Sequence, residues 1–570
     1  MSLILRNHHP SPEFHKGLVL HCANLLYTSW HIIARKQPRR VLSMTSQHPL
    51  VQTPSDRLSH LSGIPLDMIL QHLDLTSFTN LRLTSRQLST STISSHFFRS
   101  AKTDLSLSSL QSLANRVSHP QLGPVLIELT VVSTLFDTQP AEATVQTRKK
   151  WSGFDKDELR RDTENYRQRV ENLRERNVAC TEDEVQKAQQ DLEWIRTRIQ
   201  QDTNTDVNQV TDLLSSIFEI AANLRAINLD ACIIAGHTKT CRPAEHYRWY
   251  RSANQNSSWP SIWTAASQTF RLVTSAISRS RIQLEKLQIF PDTPLCSVQL
   301  RHVEDHLRTL GSAGFAAACK SIKSFGLSFS THILIEAPPT QGECLFRHAF
   351  AAKSPYKLNQ HLESDAEDFT GAATILTYMP NLTSLDLHLH HLDHLVLPKY
   401  TKVFSHISQN IRLSRLRELS LRGLPLRPDD LILFLTNQPT ITKLSLDGIL
   451  LVGGLWSTVF SCIEAMPALE SLHLSSLSTE YHHITNLDPV ERTVEVDLQD
   501  REKWVTCGDG YILHTRGVCR EEIRQGLDFR PQSGPRNIWR DDTWAYFDRI
   551  QYEFGPPSRV WEWEPLTENM

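Results

Sequence analysis

Residues Gln438 to Leu446 read QPTITKLSL, and the same arrangement recurs as MPNLTSLDL from Met379 and MPALESLHL from Met466. In each copy an apolar, helix-like run ends at a proline, and an L-x-x-L-x-L segment follows, anchored at Leu382, Ile441 or Leu469. Proline lacks the backbone donor and crowds the preceding turn, so it stops a helix. In an extended segment alternate side chains face opposite ways, so the leucines collect on one side and the intervening residues on the other. One such strand cannot bury its leucine face alone. Stacked copies can, as a parallel sheet with helices laid over the leucine side.

Weaker copies lie at NLRAINLDAC from Asn223, LEKLQI from Leu284, IKSFGLSF from Ile322 and LRELSLRGL from Leu416. The anchors Leu224, Leu284, Ile322, Leu382, Leu416, Ile441 and Leu469 are 60, 38, 60, 34, 25 and 28 residues apart, which predicts degenerate repeats with insertions between some of them. LIELTVV at Leu126 to Val132 reads as an opening strand. The unit resembles the leucine-rich repeat over roughly residues 205 to 480. The Asn or Cys that follows the strand in that family is Cys232 here, but His390, Leu424, Ile449 and Leu477 elsewhere. The expected fold is α/β: a short N-terminal all-α module, then an irregular leucine-rich-repeat-like solenoid of parallel sheet plus helices, with an inserted helical hairpin.

The insertion is read from residues 149 to 203, dense in mixed charge. Tyr166, Val170 and Leu173 form one apolar seam, and Val185, Ala188, Leu192, Ile195 and Ile199 form another. Thr181 and Glu184 have capping-box spacing and mark the start of the second helix. The expectation is an antiparallel pair with each seam buried on the other. Beyond Pro489 the leucine rhythm stops, and Trp504, Trp539, Trp544, Trp561 and Trp563 suggest a capping subdomain over residues 489 to 570, part of whose aromatic surface could hold a partner. The remaining boundaries are a disordered leader over 1 to 56, an all-α module over 57 to 100, the start of the array over 101 to 148, and the solenoid proper over 204 to 488.

The chain has 570 residues and a formal net charge of -2, so no long-range field draws it to nucleic acid or to an acidic membrane. The apolar run from 17 to 34 is short of the roughly 20 residues a membrane span needs and carries His21 and His31. It reads as leader, and Met44 as a candidate start. Ten scattered cysteines show no CxxC and no zinc-ligand spacing, which suits reduced thiols in the cytoplasm or nucleus.

No phosphate loop, GxGxxG, GxSxG or HExxH motif is present. The densest titratable cluster, His388, His390, His391, Asp393 and His394, aligns on no single element and reads as surface imidazoles at a strand end. Asp429 with Asp430 and Asp541 with Asp542 read as helix caps or surface ion pairs, and Cys507 and Cys519 flank a hairpin, GDGYILHTRG. The reading is a protein without catalytic residues, metal or cofactor, whose work is binding.

That turns attention to LSGIPLDMILQHLDLTSFTNLRLTSRQL, Leu61 to Leu88. Pro65 suits a first helical turn, Met68, Ile69 and Leu73 form a stripe, Asp74 and Leu75 break it, and Thr76 or Ser77 can cap a second helix through Phe78 and Leu81. Arg86, Leu88, Ile93, Phe97 and Phe98 continue the pattern. With I-P-x-D followed by L-D-L-x-S-x-x-x-L-R-L-T-S-R, the string resembles the F-box, the helical module that docks on a Skp-family adaptor, especially in fungal proteins with degenerate leucine-rich repeats. From Pro65 to Leu73 it is about three residues shorter than the family pattern, close to one helical turn.

The resemblance implies a substrate-recognition subunit of an SCF-type cullin-RING ubiquitin ligase, joined to cullin through the adaptor. It gives docking to Ile64, Pro65, Ile69, Leu73, Leu75, Phe78, Leu81 and Leu83. A protein target would meet solvent-facing strand positions, read as Thr383, Ser384, Asp386, Glu418, Ser420, Thr442, Lys443, Ser445, Glu470, Ser471 and His473. The alternative is a solenoid scaffold without a ubiquitin role, in which residues 61 to 98 merely cap the repeats.

Overall fold

The computed structural model describes residues 66, 69–70, 72–92, 96–149, 179–243, 259–294, 296–310, 312–330, 369–390, 400–479, 504–507, 510–513 and 515–527. The leader, Met44, Ile64, Pro65 and Met68 lie outside the described residues, as do the seam of Tyr166, Val170 and Leu173, the trio His391, Asp393 and His394, Asp541 and Asp542, and the tryptophans from Trp539 onward. The chain divides into two compact units, one of residues 1–100 with 120–126 and one of residues 101–119 with 127–570.

In the first unit the backbone is helical at Leu66, Ile69 and Leu70, and three short helices follow: α1 (Leu75–Thr84), α2 (Arg86–Ser91) and α3 (His96–Arg99). The residue that starts α1 is Asp74, whose carboxylate accepts from the Ser77 N–H at 2.6 Å, so the cap lies two or three residues earlier than Thr76 or Ser77. Ser85 caps α2 in the same way, its hydroxyl accepting from the Gln87 N–H. Helices this short are marginal alone and are held by a shared core of Leu66, Leu70, Phe78 and Leu88, with Leu73, Leu81 and Phe98 packed against it. Of the stripe read as Met68, Ile69 and Leu73, Leu73 packs against this core, and Leu66 and Leu70, four apart, are its buried members.

The second unit is built on one large sheet. Its strands are β1 (Ser100–Asp104), β2 (Glu128–Phe136), β3 (Ala226–Gly236), β4 (Lys239–Cys241), β5 (Lys286–Ile289), β6 (Val298–Gln299), β7 (Ser324–Ser330), β8 (Ser384–His390), β9 (Glu418–Arg422), β11 (Lys443–Asp447), β13 (Ser471–Ser475) and β17 (Thr515–Cys519), with β10 (Pro425–Leu426), β12 (Leu450–Leu451) and β14 (Ser478–Thr479) in a second sheet and β15 (Trp504–Cys507) paired with β16 (Gly510–Leu513). The main order is β1-β2-β3-β5-β7-β8-β9-β11-β13-β17, and every pairing from β2 to β13 along that path is parallel.

Register places the leucines in continuous rows. One row runs Leu129, Ile227, Leu287, Phe325, Leu385, Leu419, Leu444, Leu472 and Val518, and none is more than 3% exposed. The next runs Val131, Leu229, Ile289, Leu327, Leu387, Leu421, Leu446 and Leu474, equally buried. The helices are α4 (Leu107–Val117), α5 (Gln139–Thr147), α6 (Glu182–Thr203), α7 (Val207–Ile220), α8 (Trp259–Ser280), α9 (Leu300–Thr309), α10 (Ser312–Cys319), α11 (Gly371–Thr377), α12 (Thr401–Asn410), α13 (Pro428–Thr436), α14 (Trp456–Glu464) and α15 (Arg520–Gln525). Neighbouring helices pack in sequence, α4 on α7, α7 on α8, and α11 through α14 each on the next, as stacked repeats require.

Helices α11, α13 and α14 each stop three residues before the prolines Pro380, Pro439 and Pro467. The residue before each proline, Met379, Gln438 or Met466, is buried where the chain turns toward the strand. Gln438 is the polar one of the three, and its Oε1 accepts from the Leu413 N–H of the preceding repeat at 3.0 Å.

The strand exits explain why the family's Asn or Cys is missing. Gly423, Gly448 and Ser476 all have positive φ there, and Leu424, Ile449 and Leu477 then turn inward and are buried. The backbone itself supplies the links an Asn side chain would make: Gly423 N–H donates to Asp447 O at 2.8 Å, Gly448 N–H to Ser475 O at 2.9 Å, and β10, β12 and β14 pair in parallel just beyond. An apolar side chain is then the better occupant. Gly448, at φ 61, is expected to lose about 1 kcal/mol of stability on substitution by alanine, since an L side chain is strained there; a denaturant midpoint unchanged in Gly448→Ala would contradict this.

Two further expectations are refined. The Thr181 and Glu184 capping box is present and starts α6, but the α6 seam of Val185, Ala188, Leu192 and Ile195 packs on α5 and β3, and Ile199 is exposed. Helix α6 is therefore part of the array's own layer. Lys149 and Ala179 form an antiparallel bridge, so the chain leaves and returns at one point there. At the far end the hairpin is β15 with β16, Cys507 pairing with Gly510, so it does not run from Cys507 to Cys519 as read; β17, which ends at Cys519, pairs antiparallel with β13 and brings Val518 into the leucine row.

Candidate functional site

Strand alternation turns the residues between the leucines to the sheet face opposite the leucine rows. Of the positions read as target-binding, Ser384, Glu418, Lys443 and Ser471 form one transverse row on this face, and Asp386, Ser420, Ser445 and His473 form the next. Thr383, Thr442 and Glu470 do not belong with them. They precede the strands by one residue, in phase with the buried leucines, and sit on the N-terminal rim. There the Thr383 and Thr442 hydroxyls donate to Lys323 O and Arg417 O at 2.9 and 3.2 Å. Reading all x positions of L-x-x-L-x-L as outward ignores that the first x has the parity of the leucines.

The outward rows are laced by charge. Lys443 Nζ lies 2.8 Å from Glu418 Oε1, a hydrogen bond and attraction that raise the lysine's pKa, and Lys286 lies 3.8 Å from Glu128. One outward residue missing from the sequence reading is Arg422, which forks onto both Asp386 oxygens, with Nε to Oδ1 at 3.0 Å. It occupies the next outward position after Ser420, so the period of two would have found it.

His388 and His390 also have outward parity, yet both are buried and their rings lie 3.9 Å apart, so they are not surface imidazoles. Asp430 is buried too. It does not cap α13 but accepts from the Ser405 and Ser408 hydroxyls of α12.

Strands β5 and β6 are one strand interrupted. Ile289 pairs with Leu327 and Val298 with Phe329, so eight residues, 290 to 297, stand where the ladder has room for one opposite Ser328. The excursion rises on the outward side, with Phe290 at φ 54. Pro291 packs over Gly326, where an added Cβ would lie 3.3 Å from the proline ring and 2.1 Å from Gln288 Oε1. Its Thr293 hydroxyl donates to Asp230 Oδ1 at 2.8 Å, beside Lys102 Nζ on Oδ2 at 2.8 Å. Burial works to raise the Asp230 pKa, and the hydrogen bonds from Lys102, Thr293 and the Ala231 N–H outweigh it and hold the carboxyl below its ordinary value.

In the helical unit the residues read as adaptor-binding separate by exposure. Phe78 is 2% exposed and belongs to the core, a correction to its place among docking residues, while Ile69, Leu73 and Leu81 are half-buried and Leu83 is 81% exposed. Arg82, unremarked in the sequence, lies over the Phe78 and Phe98 rings at 5.7 and 4.8 Å and donates to Ser89 O.

Among the described residues no group of three or more His, Cys, Asp or Glu could hold a metal, and no helix is long and apolar enough to cross a membrane.

No family model matches the chain, and no curated protein is similar to it. Among solved structures, an internalin from Listeria monocytogenes is similar at 12% identity over 48% of this chain and 72% of that one, with a TM-score of 0.17, a likeness too slight to add to the fold described above. By its own registers and burial, the second unit is a mixed α/β array, mostly parallel and leucine-rich-repeat-like.

Proposed function

We propose that this chain is a substrate receptor of an SCF-type cullin-RING ubiquitin ligase. The helical unit docks on a Skp-family adaptor, and through it on cullin, while the outward face of the array holds a protein target. Its contribution is positioning: keeping acceptor lysines near a conjugating enzyme raises their effective concentration, and the chemistry lies in other subunits. The setting that goes with this role is the cytoplasm or nucleus, and scattered cysteines without CxxC or zinc-ligand spacing support it.

The observation that carries this reading is Leu83. A leucine within the F-box-like string, 81% exposed on a module that already has its own core, is an apolar side chain without a structural task. Full-length Leu83→Glu is expected to keep its stability within about 0.5 kcal/mol, because the side chain is on the surface, and to retain a Skp-family adaptor roughly ten-fold less well in co-purification. If the wild-type chain retains no adaptor, the ligase reading is withdrawn in favour of a solenoid scaffold.

A further inference from the structure

The outward face of the sheet is divided. On β9, β11 and β13 the outward residues Ser420, Arg422, Ser445, Asp447, Ser471 and His473 keep contact with solvent, and the buried one is Ser475, at the end of β13 beside Thr515 of β17. On β7 and β8 the equivalent Ser328, Ser330, His388 and His390 are buried although alternation turns them away from the helices. The eight-residue excursion after β5 accounts for part of this: Ser328 Oγ donates to Phe290 O at 2.9 Å, and Pro291 stands over Gly326.

We infer that residues 290–294 with 296–297 form a cover over the outward face of β5 and β7, rooted in the sheet at Ile289 and Val298 and latched from two strands beyond β7 by Arg422. The rooted side is firm. Phe290 is fully buried, and Thr293 is tied to Asp230 on β3. On the far side Arg422 NH2 donates to Pro291 O at 2.9 Å while the same guanidinium is aligned by Asp386. A planar fork that meets a carboxylate on one edge and a carbonyl beyond it is a task lysine cannot copy. Gly326 completes the seat, since a side chain there would drive into Gln288 and Pro291. With the latch open, the face available to a partner extends from β9 toward β5. That last use rests on the target-binding reading above, whereas the cover itself does not.

Hydrogen exchange of the purified full-length chain, without any partner, tests the cover. The Thr293 and Cys296 amides, which donate to Phe290 O and Thr293 O, report on its order. Arg422→Ala is expected to speed their exchange by roughly ten-fold or more, the scale of losing a hydrogen bond from a charged donor, with Arg422→Lys falling between and the β11 amides unchanged. Gly326→Val, which leaves Arg422 in place and displaces Pro291 by bulk, is expected to do the same. Wild-type exchange at both amides in Arg422→Ala and Gly326→Val would overturn the inference. Neither result depends on an adaptor or target, so failure of the proposed function leaves this one standing.

Discussion

Replacing Leu446 by alanine is expected to lower the unfolding free energy by roughly 2–5 kcal/mol, the cost of removing a fully buried leucine from a core that collapses only partly. Leu446 lies between Leu421 and Leu474 in the same row, so the cavity opens contacts in both neighbouring repeats. In a stacked array each repeat is stabilised chiefly by its neighbours, and the loss is therefore felt beyond one strand. The control is its neighbour Ser445, whose side chain points to the opposite face. Ser445→Ala should change stability by no more than about 0.5 kcal/mol. Urea unfolding of the two variants measures the alternation directly, and equal costs would mean that the leucine row is not the core.

The second large effect is a pH dependence from His306. This residue is buried in α9, where its Nε2 lies 2.7 Å from Thr274 Oγ1 and its ring meets Phe270 edge-on at 5.6 Å. The Thr274 hydroxyl donates to Phe270 O at 2.6 Å, which leaves its oxygen to accept from the imidazole N–H. A ring carrying its proton on Nε2 makes that bond whether neutral or charged, so what opposes the charge is the loss of water around it. Burial, with a smaller push from the Arg271 charge, lowers the His306 pKa from 6.5 to about 4. Between those values the unfolded chain holds a proton that the folded chain does not, so the stabilisation is complete above pH 6.5 and is lost as pH falls toward 4. At about 1.4 kcal/mol per pH unit the window is worth roughly 3 kcal/mol. The chain has 26 histidines, so the comparison is with His306→Gln, which keeps a hydrogen-bond partner for Thr274 and does not titrate. Stability of the wild type relative to that variant should fall across pH 6.5 to 4. Parallel curves would show that His306 charges as readily folded as unfolded.

The strands at Leu382, Ile441 and Leu469 were readable because three independent signals coincide there: a proline stop, a leucine period of two, and an apolar helix before each strand. The Thr181 and Glu184 cap was readable because capping is local, made between residues three apart. Asp74 was misjudged for the opposite reason. A carboxylate ahead of Thr-Ser can either end one helix or begin the next, and only the position of the Ser77 N–H decides.

What the sequence by itself determined is the parity of each strand, the helix stops, the expectation of a stacked parallel sheet, and a separate helical module before it. These follow from neighbours along the chain, where spacing and side-chain direction are linked by the backbone. The tertiary structure alone decided which outward residues are free. Phe78 is core because Leu66, Leu70 and Leu88 converge on it, and Leu83, five residues along, is left in solvent. Arg422 is a latch because an excursion that leaves β5 brings the Pro291 carbonyl within reach of a strand 131 residues later. Contacts of that range depend on how strands come to lie side by side, and no local pattern of residue types encodes them.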